Sequence, residues 1–245
     1  MDFTKENTLA EIVNRNLNAS NIFDNYRLNY STEGKSRIGD ACITQGLNTE
    51  VILSKLKKTE NSGYNKLKIS EWETGLLCDF IINNHHTYIR KNLPKLITIS
   101  INLVKENKCD ELIHEKLFQL KNEFEIHMQK EEKLIFPYIK RMKRKVNDME
   151  KYETPPFGSV ASPVKVMEKE HKNAYTELII ISKLMRIMIT KNNNNASIRS
   201  LNEKFTEFIS DFNFHIHLEN NILFPKAIRL ESKLKKQILK IKIKN

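Results

Sequence analysis

The sequence has little of what bends or cross-links a chain. Its 245 residues include six glycines, six prolines, three cysteines and one tryptophan. That scarcity excludes a turn-dense fold and argues for long helices. Cys42, Cys78 and Cys109 are odd in number and widely spaced. This pattern rules out both a disulfide framework and a CxxC metal knuckle, and a buried, reduced, structural role is expected for each. No run reaches 18 uncharged apolar residues, and the start, MDFTKENTLAEIVNRN, lacks the basic-then-apolar order of a signal peptide. The expectation is a cytoplasmic protein with no membrane partner. Acidic residues are in the minority, 30 against 41 Lys and Arg, for a net charge of +11. The excess is spread along the chain, with concentrations at Lys140–Lys145 and Lys233–Lys244, and no recognition-helix or RNA-binding signature accompanies it. A solvated basic surface is expected, with no nucleic-acid partner.

What is present is helical pattern in two styles. Short amphipathic stretches occur at Thr8–Leu17, Ser20–Tyr26, Lys35–Gln45 and Thr49–Lys57, with Ser20 and Thr49 standing where helix caps are expected. They form a small helical domain over residues 1–60, and Lys58–Lys66 (KTENSGYNK) reads as its linker. Four long patterns follow, near Ser70–Asn107, Asp110–Val146, Pro163–Lys191 and Ala196–Ser232. Their separators are ENKCD, the stretch around ETPPFGSVASP, and KNNNN. The fold class predicted is all-α: an antiparallel up-and-down four-helix bundle over residues 67–235, with the small helical domain before it and a basic tail, 236–245, after it. Pro94, Pro137 and Pro225 fall inside these patterns and are expected to kink or end the helices there.

The strongest signal is a duplication. His127 and Glu131 are followed by Phe136-Pro137, and His215 and Glu219 by Phe224-Pro225, so HxxxExxxxFP occurs twice with identical offsets. His86 precedes the first copy and His171 the second at similar distances, 41 and 44 residues. Each half therefore reads as a helical hairpin with one His on its first helix and a His/Glu pair on its second. These polar residues interrupt apolar stripes: Ile82, His86, Ile89 and Leu93; Leu120, Phe124, His127, Glu131 and Leu134; Val164, Met167, His171, Ala174 and Leu178; Phe208, Phe212, His215, Glu219 and Ile222. Burying such groups unpartnered costs on the order of 2–7 kcal/mol each, and more for an ion. A pair of metal ions gives four helices a common reason to bear that cost at one depth, since imidazole suits iron, zinc or copper and two carboxylates can bridge and neutralise two cations. A lone HxxxE is most often a surface or satisfied core pair; its repetition with two further histidines in register favours a dinuclear site. His85, His114 and His217 lack this registration and are read as structural or exposed, His217 because residues two apart on a helix face different sides.

These segments resemble a known family. NHHTYIRKNLPKL, HMQKEEKLIFPYI, PPFGSVASPVKVMEKEH and HIHLENNILFPKA are similar, in order, to blocks of the di-iron iron–sulfur cluster repair proteins (RIC), which carry a hemerythrin-like domain. The resemblance implies that His86, His127, Glu131, His171, His215 and Glu219 hold two iron ions, with Glu131 and Glu219 bridging beside an oxo or hydroxo group. It also implies that Glu123 and Glu170 act behind the ligands or along an iron passage. The implied function is repair of iron–sulfur clusters damaged by nitric oxide or oxidants, by supplying iron to client proteins. Alternatives from the same chemistry are a di-iron nitric oxide reductase, a hemerythrin-like module binding oxygen or nitric oxide, and a structural zinc site. The amino-terminal segment NASNIFDNYRLNYSTEGKSRIGDACITQGLNTEVI is similar to the family's small first domain. Where the family usually carries Cys-Cys before Gly-Gly, this chain has Ser31-Thr32 before Glu33-Gly34. Thiol chemistry attributed to that pair cannot operate here.

Overall fold

A computed structural model describes residues 3–59, 68–147, 155–191 and 195–244. The expected linker lies, from residue 60 on, outside the described residues, as do residues 192–194 of the KNNNN turn. Four short helices come first: α1 (Leu9–Arg15), α2 (Ala19–Tyr26), α3 (Ile38–Thr44) and α4 (Thr49–Lys58). Thr8 caps α1 in a reciprocal box with Glu11. The two expected caps, Ser20 and Thr49, are displaced by one or two residues. Asn48, not Thr49, is extended and accepts from the amides of Glu50 and Val51, so it caps α4. Ser20 lies inside α2, its hydroxyl donating to the Leu17 carbonyl.

Four long rods follow. Helix α5 comprises Thr74–Phe80, a π-helical segment Ile81–His86, and Thr87–Lys105. Helix α6 comprises Glu111–Lys130, a π segment Glu131–Ile135, and Phe136–Asn147. Helix α7 is Ala161–Lys191. Helix α8 comprises Ala196–His217, a π segment Leu218–Leu223, and Phe224–Lys244, running past the expected end at Ser232. Cross-helix pairs fix the directions. Asp79 meets Lys140, Arg90 meets Glu125 and Ser100 meets His114, so numbers rise on α5 as they fall on α6. The same inverse order relates α6 to α7 (Lys130 with Glu170, Lys116 with Glu177) and α5 to α8 (His85 with Asp211, and Trp72, just before α5, with Lys226). The rods form an antiparallel four-helix bundle, closed by α8 packing on α5.

None of the three prolines ends its rod. Helix α5 continues through Pro94, and α6 and α8 continue through Pro137 and Pro225. The departure from α geometry lies just before the last two. Phe136 N–H reaches back five residues to the Glu131 carbonyl, and Phe224 N–H does the same to Glu219. The wider turn also re-indexes the core: Ile135 is buried while Leu134, expected inward, is 58% exposed. On α8 residues 215–220 are all buried, because the amino-terminal helices cover the outer face of that rod.

The bundle has two apolar clusters along its axis. One contains Ile89, Phe124, Ala174 and Phe208; the other contains Ile81, Ile135, Val164 and Phe224. A third cluster, around Phe23, Tyr30 and Ile38, belongs to the first four helices and reaches α8 at Phe214. The basic run on α6 is partly spent on ion pairs, Lys140 with Asp79 and Lys143 with Glu73. Cys42 and Cys78 are buried, Cys109 is half-buried, and all three are free. Among the described residues, no helix is long and apolar enough to cross a membrane.

Candidate metal centre

On every rod of the bundle one level separates the two apolar clusters, and that level is polar. Ile81 and Ile89 flank His86; Met128 and Ile135 flank Glu131; Met167 and Ala174 flank His171; Ile216 and Ile222 flank Glu219. The six residues singled out by the duplication converge there. Five are at most 1% exposed, and His127 is 6% exposed. The three π segments of the described residues fall at this level: one ends on His86, one begins on Glu131, and one contains Glu219 as its second residue. A π turn inserts one residue into an α-helix and commonly marks a functional site.

The donors sort into two sets of four. His86, His215, Glu131 and Glu219 form one; His127, His171, Glu131 and Glu219 form the other, with donor atoms in each set within 4.8 Å of one another. Both carboxylates belong to both sets. The imidazoles pair across the hairpins: His86 on α5 with His215 on α8, and His127 on α6 with His171 on α7. Glu131 Oε2 lies 3.3 Å from His86 Nε2, and its Oε1 lies 3.4 Å from His127 Nε2. Glu219 spans the other pair, 2.9 Å from His215 Nε2 and 3.1 Å from His171 Nε2.

Three of the four imidazoles are turned by a hydrogen bond on their far side. His86 Nδ1 donates to Glu132 at 2.7 Å, His127 Nδ1 to Glu170 at 2.8 Å, and His171 Nδ1 to Asn220 at 2.9 Å. Each bond sends Nε2 into the centre, the arrangement by which outer partners orient metal ligands. His215 is held differently, with the ring of His85 parallel to it at 5.6 Å and His85 Nδ1 bound to Asp211. Of the acidic residues expected near the site, Glu170 touches a ligand. Glu123 is exposed, accepts from Gln119, and meets the site only as part of a shared cavity wall. His114 is half-buried on Ser100, and buried His217 binds Asn14 and Asn221, facing the amino-terminal helices.

Charge and burial pull against each other here. For Glu131, burial and the Glu219 charge push its carboxyl up, but His127 and His86 outweigh them and hold it below the usual range. Glu219 is held well below that range, with His215 and His171 overcoming burial. Burial lowers His127, yet Glu131 and Glu170 bring it up to about 10, while Glu170, bound by His127 and Lys130, falls to about 2. Without a cation Glu131 therefore favours a proton on His127 and on His86, whereas burial holds His215 below the usual imidazole range although Glu219 faces it. Four buried atoms aimed at the centre, His86 Nε2, both Glu131 oxygens and Glu219 Oε2, have no hydrogen-bond partner among the described residues. Each such atom costs about 1–3 kcal/mol. Two cations shared by the carboxylates would satisfy all four, and a mixed imidazole–carboxylate set suits a transition metal. A cavity of about 450 Å³ between α6 and α7, lined by Glu123, Phe124, His127, Lys130, Glu170 and His171 among others, opens onto the His127/His171 set.

Comparison with known proteins agrees with this geometry. Residues 80–227 match the family described as "Hemerythrin HHE cation binding domain". The chain is 28% identical over 234 residues to the "Iron-sulfur cluster repair protein YtfE" of Pectobacterium carotovorum subsp. carotovorum, covering 93% of this chain and 99% of that protein. It is also 28% identical over 218 residues to the protein of the same name from Yersinia pseudotuberculosis, covering 87% and 92%. The matched region contains all six convergent residues and both shared carboxylates, and the chain belongs to the hemerythrin HHE cation-binding family, on the side of it occupied by the iron–sulfur cluster repair proteins.

Proposed function

We propose that this protein holds two iron ions on His86, His127, Glu131, His171, His215 and Glu219 and acts in the cytoplasm to restore iron–sulfur clusters damaged by nitrosative or oxidative stress, by supplying iron to the damaged proteins. The observation that carries the reading is the double membership of Glu131 and Glu219, each a ligand donor in both sets. The repair role rests on the names of relatives that align over nearly their whole length. When bound, the irons supply redox change, small-ligand binding and the cargo itself.

The chain's own residues do the rest. Glu132, Glu170 and Asn220 hold three imidazoles with Nε2 inward. The apolar clusters above and below exclude water. The His127/His171 set is the exit, because the cavity opens there and Glu170 and Glu123 give its wall negative charge that attracts a departing cation. We take residues 1–60 as a small helical domain and 67–235 as the iron-holding one. The same cavity would admit a molecule the size of nitric oxide, which favours nitric oxide reduction as the second reading.

The test is transfer. Protein loaded with ⁵⁷Fe is mixed anaerobically with an enzyme whose [4Fe–4S] cluster has been degraded by nitric oxide. The reading predicts ⁵⁷Fe in the rebuilt cluster and faster recovery than with equimolar free iron. Recovery no faster than with free iron overturns it. Stoichiometric nitrous oxide from the reduced protein and nitric oxide, with no iron transfer, establishes the reductase instead.

A further inference from the structure

Three of the imidazoles have a partner behind them, and two of those partners, Glu132 and Glu170, belong wholly to the bundle. The third does not. Asn220 Oδ1 accepts from His171 Nδ1 at 2.9 Å, and its Nδ2 donates to the backbone carbonyl of Ser31 at 3.3 Å. Next to it, Asn221 Nδ2 donates to the carbonyls of Tyr30 at 3.1 Å and Ser31 at 3.2 Å. The loop that carries Ser31 is built locally: Asn29 Oδ1 accepts from the Ser31 hydroxyl and the Thr32 amide, and Asn29 Nδ2 donates to the Thr32 hydroxyl. Gly34 closes the contact, since a Cβ there would lie 2.4 Å from Asn221 Oδ1. Ser31 is 1% exposed and Asn220 9%.

An asparagine amide has one acceptor end and one donor end. A backbone carbonyl can only accept, so Ser31 fixes which end of Asn220 faces it, and the opposite end, the oxygen, faces His171. The oxygen in turn requires a proton on His171 Nδ1, which leaves Nε2 free to face His127 Nε2, 2.9 Å away, and Glu219. We infer that Asn220 is a positioning residue through which the Tyr30–Gly34 loop of the amino-terminal helices sets the His127/His171 cation position while leaving the His86/His215 position alone. The inference rests on the proposed reading that the six residues hold two cations. It makes the loop that replaces the family's thiol pair a mechanical part of the metal centre.

The full-length protein, stripped and reloaded anaerobically with ⁵⁷Fe(II) alone, provides the test, read by iron per chain, chelator extraction and Mössbauer spectra. Asn220→Leu removes both bonds. One of two irons is then expected to leave about 10–100-fold more readily, the usual effect of losing an outer partner, with one Mössbauer doublet changed and the other as in wild type. Gly34→Ala, which alters no bundle residue, is expected to change the same doublet. Asn220→Asp presents an acceptor whichever way it turns, so it should restore that doublet and make it insensitive to Gly34→Ala. Both irons loosened equally, or neither, in Asn220→Leu overturns the inference, as does a Gly34→Ala protein with wild-type spectra. If Asn220→Leu does not fold, the Gly34→Ala and Asn220→Asp comparison decides. A wild-type chain that takes up fewer than two irons instead counts against the proposed function.

Discussion

Sharing of the carboxylates makes an asymmetric prediction about single substitutions. Glu131 is fully buried, and its two oxygens divide between His86 and His127 at 3.3 and 3.4 Å. Glu131→Gln keeps the volume and removes the charge from both donor sets, whereas His127→Gln removes one donor from one set. Outer partners of metal ligands are worth 10–100-fold in affinity, so a direct donor sets a floor of about 100-fold, or ~2.7 kcal/mol per position. Glu131→Gln should therefore weaken both irons by at least that factor. His127→Gln should weaken one by that factor and the other by much less. The assay is anaerobic titration of stripped protein with ferrous iron against a chelator of known affinity, which separates one-step from two-step loss. A Glu131→Gln protein that keeps one iron at wild-type affinity would refute the sharing argument.

Three further outcomes follow from the same structure. Ile135→Ala should cost about 2–5 kcal/mol as a core truncation, and Leu134→Ser no more than about 0.5, measured by urea unfolding of the metal-free protein; equal losses would mean that the π segment does not re-index the core. Asp24, desolvated by burial although Asn213 and Ser210 donate to it, has its carboxyl raised from about 3.8 to about 6. The folded state then binds the proton more tightly than the unfolded state, so this group's contribution is most favourable below pH 4 and is lost as pH rises through 6. Asp24→Asn should flatten that part of the stability profile of the metal-free protein, and an unchanged slope would assign it elsewhere. Removing metal with a chelator should lower the melting temperature, and restoring ferrous iron should raise it in a concentration-dependent way; a melting temperature indifferent to iron contradicts a resident metal.

The chemistry of the centre was legible in the chain because it is written twice. HxxxExxxxFP repeats with fixed offsets, and the helical period alone carries His127 and Glu131, or His215 and Glu219, to one face. Which imidazoles fall into one donor set was not legible, because His86 and His215 become neighbours only when α8 closes on α5. Glu132 was hidden by its place beside Glu131 in a run of charged residues, where no periodicity distinguishes it from a solvated side chain. The π segments escaped for a similar reason. Pro137 and Pro225 marked the right turns, but local rules allow a helix to end there, and only packing of the bundle shows that the rods continue. The misplaced caps, Thr49 for Asn48 and Ser20 for a residue before α2, are choices among adjacent capping residues that backbone angles settle and composition does not. His217 read correctly as facing away from the centre. Its burial could not be read, because it depends on the amino-terminal helices seated across α8.

Whether one chain holds two iron ions through shared carboxylates is measured by native mass spectrometry of the purified protein, with elemental analysis of the same sample. Two irons per chain are expected in the wild type and none retained by Glu131→Gln after the same desalting. One iron per chain, or two zinc ions indifferent to that substitution, would contradict this.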